Sequence, residues 1–273
     1  VTDPLFRLDG RVAVVTGATG LLGRQHCHAL AGAGATVVAV DISTSECVQF
    51  ADHLGAQYGV SALGKAIDVC DPASLESLRQ ELLDVFGAID VLVNNAAIND
   101  MVEDPLTVPE RSRFEHYPLE LWNAVLTVNV TGPFLCSQIL GSSMAEAGRG
   151  SIINIASTYG IVAPDQSLYR RPDGGQAFYK SPSYPVSKGA VLALTRYLAA
   201  YWGEKGVRVN ALSPGGVFNG QEEHFVASYA RRTPLGRMAA PNDYRGAIVF
   251  LASDASSYMT GANLIVDGGW TIW

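Results

Sequence analysis

Charged side chains are scarce in this chain, 16% of 273 residues, and acids outnumber bases by 26 to 19. A balance of that sign lacks the positive footprint with which a general nucleic-acid binder meets phosphates. Cysteine is scarcer still. Cys27, Cys47, Cys70 and Cys136 contain no Cys-x-x-Cys pair, which argues against a zinc knuckle or a redox dithiol. The five histidines add no chelating pair, because His26 and His28 are two apart on different faces of a helix and His53, His116 and His224 stand alone. No metal site is expected. The opening VTDPLFRLDGR has no apolar stretch of signal-peptide kind, and no apolar run reads as a bilayer span. The expectation is a cytoplasmic protein with reduced thiols and no membrane or nucleic-acid partner. Apolar residues, by contrast, make up 48% of the chain, enough for a large core and too many for disorder.

Short β-branched runs alternate with amphipathic segments. Strands are predicted at 11–16, 36–41, 62–69, 89–96, 151–157, 207–213 and 263–268. Helices are predicted at 21–35, 44–58, 71–87, about 119–146, about 184–204 and near 241–253. The third helix carries its own punctuation: Asp71 as cap, Pro72 at the first helical position and Gly87 at the stop. Nearly continuous apolar strands separated by helices predict an α/β fold, a doubly wound parallel sheet of about seven strands covered on both faces. No repeat, linker or low-complexity tract divides residues 1–273, so one domain is expected. Residues 98–118 and 164–183, rich in Pro and charge, resist assignment. Long loops of this kind inside compact domains are usually functional.

The first strand runs into TGATGLLG at 16–23, with glycines at 17, 20 and 23. Glycines there let the backbone turn tightly and approach a pyrophosphate, while the following helix offers free N–H groups to the anion. Asp41 ends the second strand, 18 residues after Gly23, where a carboxylate can take a ribose 2′-hydroxyl. It repels a 2′-phosphate, and DISTSE brings no Arg or Lys to offset it, so NAD is expected and NADP is less favoured. Asp41 as a plain turn cap is the competing reading. Asp68, closing the third strand, is placed to bond an adenine amino group, and NNAA at 94–97 to floor the adenosine.

At the other end, YPVSK sets Tyr184 and Lys188 four residues apart at a helix start, on one face. A phenol titrates near 10, and a neighbouring ammonium lowers that by stabilising the phenolate. Ser157 ends the fifth strand, where a parallel sheet opens its ligand crevice, with a hydroxyl able to hold a substrate oxygen. Asn129 is an oddly polar residue in the apolar stretch LTVNVTG, a candidate support for a water relay. Tyr-x-x-x-Lys alone is more often a solvated helix face. Its combination, in order, with the glycine loop, Asp41, NNAA and INIAS reverses those odds.

This ordered set resembles the short-chain dehydrogenase/reductase family over nearly the whole chain, with GVRVNALSPGG and SSYMTGANLIVDGGW adding to the likeness. The resemblance implies a tetrad of Asn129, Ser157, Tyr184 and Lys188. Tyr184 would exchange a proton with the substrate oxygen while hydride moves to or from the nicotinamide. It implies a cofactor set of Gly17, Thr19, Gly20, Leu21, Leu22, Gly23, Asp41, Ile42, Asp68, Val69, Asn95, Ala96, Ala97, Tyr184, Lys188, Pro214, Gly215 and Val217. It also implies an NAD-dependent alcohol/ketone oxidoreductase that assembles as a homotetramer, a state to which the apolar GGWTIW ending also points. The chain departs from the family pattern at several points. The loop is TGxxGxxG, with Leu21 where the usual pattern has Gly; NNAA stands for NNAG; Asn219 stands where Thr is usual. The 27 residues from Ser157 to Tyr184 are about twice the usual gap. That insertion, with the later SPGG, resembles more weakly the oxidoreductases of bacterial nonulosonic (legionaminic-type) acid and surface-glycan pathways.

The expected substrate is therefore a polar hydroxylated small molecule, possibly a sugar or sugar derivative. A sugar-nucleotide epimerase or dehydratase is the alternative that TGxxGxxG suggests, but Gly268 lies five residues from the end, leaving no sizeable C-terminal substrate domain. A non-catalytic dinucleotide sensor would typically lose the Tyr or Lys. Both ends of the insertion are tied near the catalytic groups, so it must arch by the substrate mouth. Ser157, Tyr159, Tyr169, Arg170, Arg171 and Tyr184 are the substrate candidates, the two arginines as partners for an anionic group. A solvated loop whose arginines only offset nearby acids is the even alternative.

Overall fold

Residues 3–100 and 109–273 are described by a computed structural model of the chain. Seven strands form one parallel sheet: β1 Val12–Thr16, β2 Thr36–Asp41, β3 Ala62–Ala66, β4 Val91–Asn94, β5 Gly150–Ile155, β6 Val207–Pro214 and β7 Asn263–Val266. Their spatial order is β3-β2-β1-β4-β5-β6-β7. The chain builds outward from β1 to one edge, then returns beside β1 through β4 and builds to the other, pairing Val14 with Val38 and with Leu92. The β1/β4 boundary is thus a switch point, and the crevice outside the carboxyl ends of those strands is where such sheets bind ligands.

The side-chain alternation of the strands divides the core. Ala13, Val15, Val37, Ala39 and Val93 point to one face, where Leu30 of α1 (Leu21–Gly32), Leu54 of α2 (Thr44–Tyr58) and Ile248 of a later helix cover them. Val12, Val14, Val38, Val40 and Leu92 point to the other, under Leu75, Leu78 and Leu82 of α3 (Pro72–Phe86). Strands buried on both faces explain why the sequence shows runs rather than alternation. Asp71 caps α3 through Ala73 N at 3.0 Å, and Gly87 ends it at φ +75°, as the punctuation predicts. His26 lies in this interior with no exposed surface, and burial drives its ring down to about 3, so it stays neutral.

The predicted helix over 119–146 is α4 (Leu119–Leu126), a π-turn over Thr127–Thr131 and α5 (Gly132–Ala147). The combined stretch Leu119–Ala147 is long and apolar enough to cross a bilayer by length and composition, contrary to the expectation that no such run exists. Its apolar side chains serve the core instead: Cys136, Leu140 and Met144 of α5 pack under the sheet with α3. Next come α6 (Ser183–Trp202), α7 (Glu223–Arg232) and α8 (Arg245–Ala252), the last preceded by a tight turn at Pro241–Tyr244. The sequence reading has no counterpart to α7. β3 is shorter than predicted because its partner ends: pairing stops at Asp41 with Ala66. Of the unassigned stretch 98–118, residues 101–108 lie outside the described residues.

Candidate active site

The glycine loop leaves β1 at the switch point and is clamped from β4. Thr16 Oγ1 accepts from Asn95 N and Ala96 N, both at 3.0 Å. Asn95 Nδ2 donates back to the carbonyls of Thr16 and Gly17 at 3.0 Å each. NNAA therefore shapes the loop from below, and Ala96 approaches so closely that a Cβ on Gly17, which sits at φ +62°, would lie 2.8 Å from Ala96 Cα. A Cβ on Gly23 would lie 1.9 Å from the Gly17 carbonyl oxygen. The bare backbone so produced leads into α1, whose cap Gly20 contributes no side-chain bond to the first-turn N–H groups. Such a helix start is suited to an anion. Leu21 and Leu22 face the cavity beside it.

Asp41 performs the turn-capping role weighed for it. Its Oδ2 accepts from Thr19 N at 3.0 Å and Thr19 Oγ1 at 2.7 Å, and its Oδ1 from Ile42 N at 2.8 Å. It thus fixes the loop, while Oδ1 keeps a lone pair for a further donor. Ile42 is 81% exposed beside it, an apolar surface available to a flat ligand. Asp68 is exposed and caps its own turn through Cys70 N at 2.8 Å. Val69 is buried against Gly132 of α5. These residues fit a dinucleotide: glycines with no room for a side chain, a capless helix start and an acid where a ribose diol falls.

A cavity of about 670 Å³ continues from this cradle along the carboxyl ends of β4, β5 and β6. Asn95, Ala97, Ser157, Tyr184, Lys188, Pro214, Gly215 and Val217 all line it, as do Tyr159 and Tyr169. α6 delivers Tyr184 and Lys188 one turn apart. Lys188 is buried, which pushes its ammonium down to about 8; Nζ donates to Ile155 O at 2.8 Å and lies 5.6 Å from the Tyr184 ring centroid. Its charge is therefore spent close to the phenol. Ser157 Oγ accepts from Tyr159 N at 3.1 Å, leaving its own proton for a ligand. Tyr159 and Tyr169 meet through their hydroxyls at 3.1 Å, and burial pushes both phenols up, Tyr169 well above the usual range. They line the site as neutral groups, which leaves Tyr184 as the tyrosine beside a lysine.

Asn129 is in the π-turn, and its side chain is fully engaged. Oδ1 accepts from Ile98 N at 2.8 Å; Nδ2 donates to Ile98 O at 3.0 Å and to Ser187 Oγ at 3.1 Å. The side chain thus pins the loop after β4 to α6, a positioning duty the expected water relay did not include. π-turns of this kind recur beside functional sites.

The insertion forms a strap over the cavity. Gln166 ties it together, accepting from Lys180 N at 2.8 Å and donating to Lys180 O at 3.2 Å. Arg170 and Arg171 do not reach the cavity. They stand exposed on the outer limb, where Arg171 N closes a turn on Gly175 O at 2.8 Å. Tyr169 packs inward against Phe178 with Leu168 buried beside it, and the chain leaves that short helical turn at Arg170, carrying both arginines to the exposed side. That displaces the arginines as substrate partners; the strap's inward cation is Lys180.

The opposite wall is α7, the helix the sequence reading missed. Phe225, Val226 and Tyr229 make its inward face, a spacing visible in the sequence within a stretch to which the sequence reading gives no element. Tyr229 accepts from Gly216 N at 2.6 Å and stacks on Trp270 at 4.2 Å. The apolar ending is therefore partly spent inside the chain, with Ile272 and Trp273 left exposed. Strap and α7 are joined by the Arg232–Asp165 ion pair and by Tyr169 against Phe225 at 5.6 Å.

A family profile described as enoyl-(acyl carrier protein) reductase matches residues 17–271. The chain is 37% identical to the D-threitol dehydrogenase of Mycolicibacterium smegmatis, over 98% of this chain and 95% of that protein. It is 35% identical to the L-tagatose-forming galactitol 2-dehydrogenase of Cereibacter sphaeroides, over 98% of each. A crystal structure of a gluconate 5-dehydrogenase from Burkholderia cenocepacia, in complex with NADP and tartrate, superposes with a TM-score of 0.86 at 31% identity, over 99% of this chain and 98% of that one.

Proposed function

This chain belongs to the short-chain dehydrogenase/reductase family and interconverts an alcohol and a ketone with a nicotinamide cofactor, and we propose that its substrate is a polyol and its cofactor NAD(H). The observation that carries the reading is the shared cavity. Tyr184, Lys188 and Ser157 line one space that opens from the glycine cradle. In the oxidative direction Ser157 holds the reacting hydroxyl, and Tyr184, as phenolate, takes its proton. The glycine loop and Asp41 would hold NAD+, which would supply the acceptor for the hydride that leaves the carbinol carbon. Lys188 keeps the phenolate populated and would be the residue that holds the cofactor's ribose. Asn129 and the π-turn hold α6 against the loop after β4, so the phenol meets the substrate at a fixed place.

Relatives acting on threitol, galactitol and gluconate support a polyol, and Ser157, Tyr159 and Tyr169 supply hydroxyls to meet one. The test is NADH formation on D-threitol, galactitol and gluconate beside an apolar cyclic alcohol. Turnover at least tenfold better on a polyol is expected; preference for the apolar alcohol overturns the assignment.

Asp41 decides the cofactor. The gluconate dehydrogenase relative carries NADP, but here the last free lone pair on Asp41 favours a ribose hydroxyl and its charge disfavours a phosphate. Asp41→Ala is expected to narrow the NADH-over-NADPH preference in a fluorescence titration. A native protein that binds NADPH more tightly than NADH refutes the choice. The same reading makes the protein cytoplasmic, where NAD is available and the four thiols, all free, stay reduced. It also makes the protein a homotetramer. Phe134 of α5 and Tyr197 and Tyr201 of α6 are exposed, the two tyrosines stacked at 5.9 Å. A stable monomer in sedimentation at micromolar concentration counts against that assembly.

A further inference from the structure

The strap brings a second lysine to the catalytic phenol. Lys180 is 6% exposed, its Nζ lies 4.7 Å from the Tyr184 ring centroid, and it donates to Asn99 Oδ1 in the loop after β4. Lys188 holds its ammonium at 5.6 Å from the centroid of the same ring, so the ring has one cation near it from its own helix and one from the insertion. The placement of Lys180 is built. Its backbone is bound on both sides by Gln166, Tyr179 N before it donates to Ser112 Oγ at 2.9 Å, and Ser181 after it donates to Asp100 Oδ1 at 2.7 Å. Asn99 then fixes the end of the side chain. These bonds come from Gln166 within the strap, from Ser112 and from the neighbouring Asn99 and Asp100, and together they hold Lys180 in place.

We propose that Lys180 is a positioning residue for the reaction, a second ammonium that holds the Tyr184 phenolate at lower pH than Lys188 alone allows. This rests on Tyr184 being the acid/base. An opposite charge beside a titratable group favours its ionised form, by about one to three pH units where the two charges lie within about 4–6 Å. Among the described residues, the other titratable groups facing the cavity do not supply that charge. Tyr159, Tyr169 and Tyr229 are kept neutral by burial; Glu222 and His224 of the α7 side face one another at 3.2 Å. Asp100 lies behind the strap, with its carboxylate taken by Tyr117 and Ser181. The insertion that doubles the distance from Ser157 to Tyr184 thereby gains an electrostatic purpose that its exposed arginines do not supply.

Two measurements on the full-length protein test this, with Lys180→Met removing the charge and Lys180→Arg keeping it. The first is the pH dependence of kcat/KM for oxidation of a neutral polyol, galactitol or D-threitol. Its acid limb follows loss of the phenolate, so it is expected to move up by about one pH unit in Lys180→Met, with about tenfold less activity on the acid side. In Lys180→Arg it should stay near its native position. The second needs no turnover: titration of a carbon-13 label at tyrosine Cζ, with the Tyr184 signal assigned by its loss in Tyr184→Phe. That signal should titrate at higher pH in Lys180→Met, with NAD+ present or absent. A limb and a Cζ titration both unmoved in Lys180→Met overturn the proposal. A rise in KM confined to gluconate with an unmoved limb also overturns it, by making Lys180 a substrate contact. Failure of the underlying acid/base reading shows separately, as turnover that survives Tyr184→Phe.

Discussion

Replacing Tyr184 with Phe is expected to lower kcat on a polyol substrate by about 10²–10⁴-fold, the usual loss when general acid/base help is removed. The change deletes one oxygen and keeps the ring that both Lys188 and Lys180 approach. Ser157 remains to bind the substrate hydroxyl, and the glycine cradle is untouched, so KM for the cofactor and the melting temperature should hold. This combination separates chemistry from folding. Near-native turnover by the Phe variant, on a substrate that the native enzyme oxidises, would remove Tyr184 from the mechanism. Tyr159 and Tyr169 cannot take over, because burial holds their hydroxyls neutral in a bond to each other.

The second large effect is expected at Gly23. A methyl group there lands 1.9 Å from Gly17 O, 2.8 Å from Gly17 C and 2.9 Å from Ala18 Cα. All three are backbone atoms, so no side chain can swing aside. Gly17 cannot retreat either, since its own space ends at Ala96. The loop must open, at a cost of about 1–3 kcal/mol of overpacking. If the N–H groups of that loop grip the dinucleotide as proposed, part of the cost falls on binding, where each ~1.4 kcal/mol is a factor of ten. Gly23→Ala is expected to weaken NADH at least tenfold by fluorescence titration and to lower the melting temperature. Gly203→Ala is the control, since a Cβ there meets nothing within 4 Å. Native NADH affinity in Gly23→Ala would show that the loop does not grip the dinucleotide.

The parts of this site legible in the sequence are those that local geometry dictates. A strand followed by spaced glycines and a helix has one way to turn, and Tyr184 and Lys188 share a face whatever surrounds them. Asp41 ended its strand where expected, with its bond to Thr19 as an added duty. What escaped depends on partners far along the chain. α7 has a fair apolar face in Phe225, Val226 and Tyr229, but what that face covers, the strap on one side and Trp270 and Met238 on the other, lies far away in sequence. Arg170 and Arg171 looked like the strap's working charges, yet direction along an extended loop follows from which neighbour is anchored. Here Tyr169 turns in, and Gln166 and Asn99 turn Lys180 in. Asn129 was conspicuous by its polarity, but its real partner, the backbone of Ile98, lies 31 residues earlier.

The join between strap and α7 bears on how fast the enzyme turns over. Product leaving past these walls meets a surface cross-braced by Arg232–Asp165 and by the Tyr169–Phe225 contact. Opening must either break that brace or swing both walls together, and such gating steps often limit an enzyme of this type. The ion pair is part-exposed, with Arg232 at 46% and Asp165 at 28%, so dissolved salt screens it. Ionic strength is then expected to act as a throttle on release: kcat should rise modestly with added salt where opening limits turnover, and a kcat that stays flat across the salt range would separate the brace from that step.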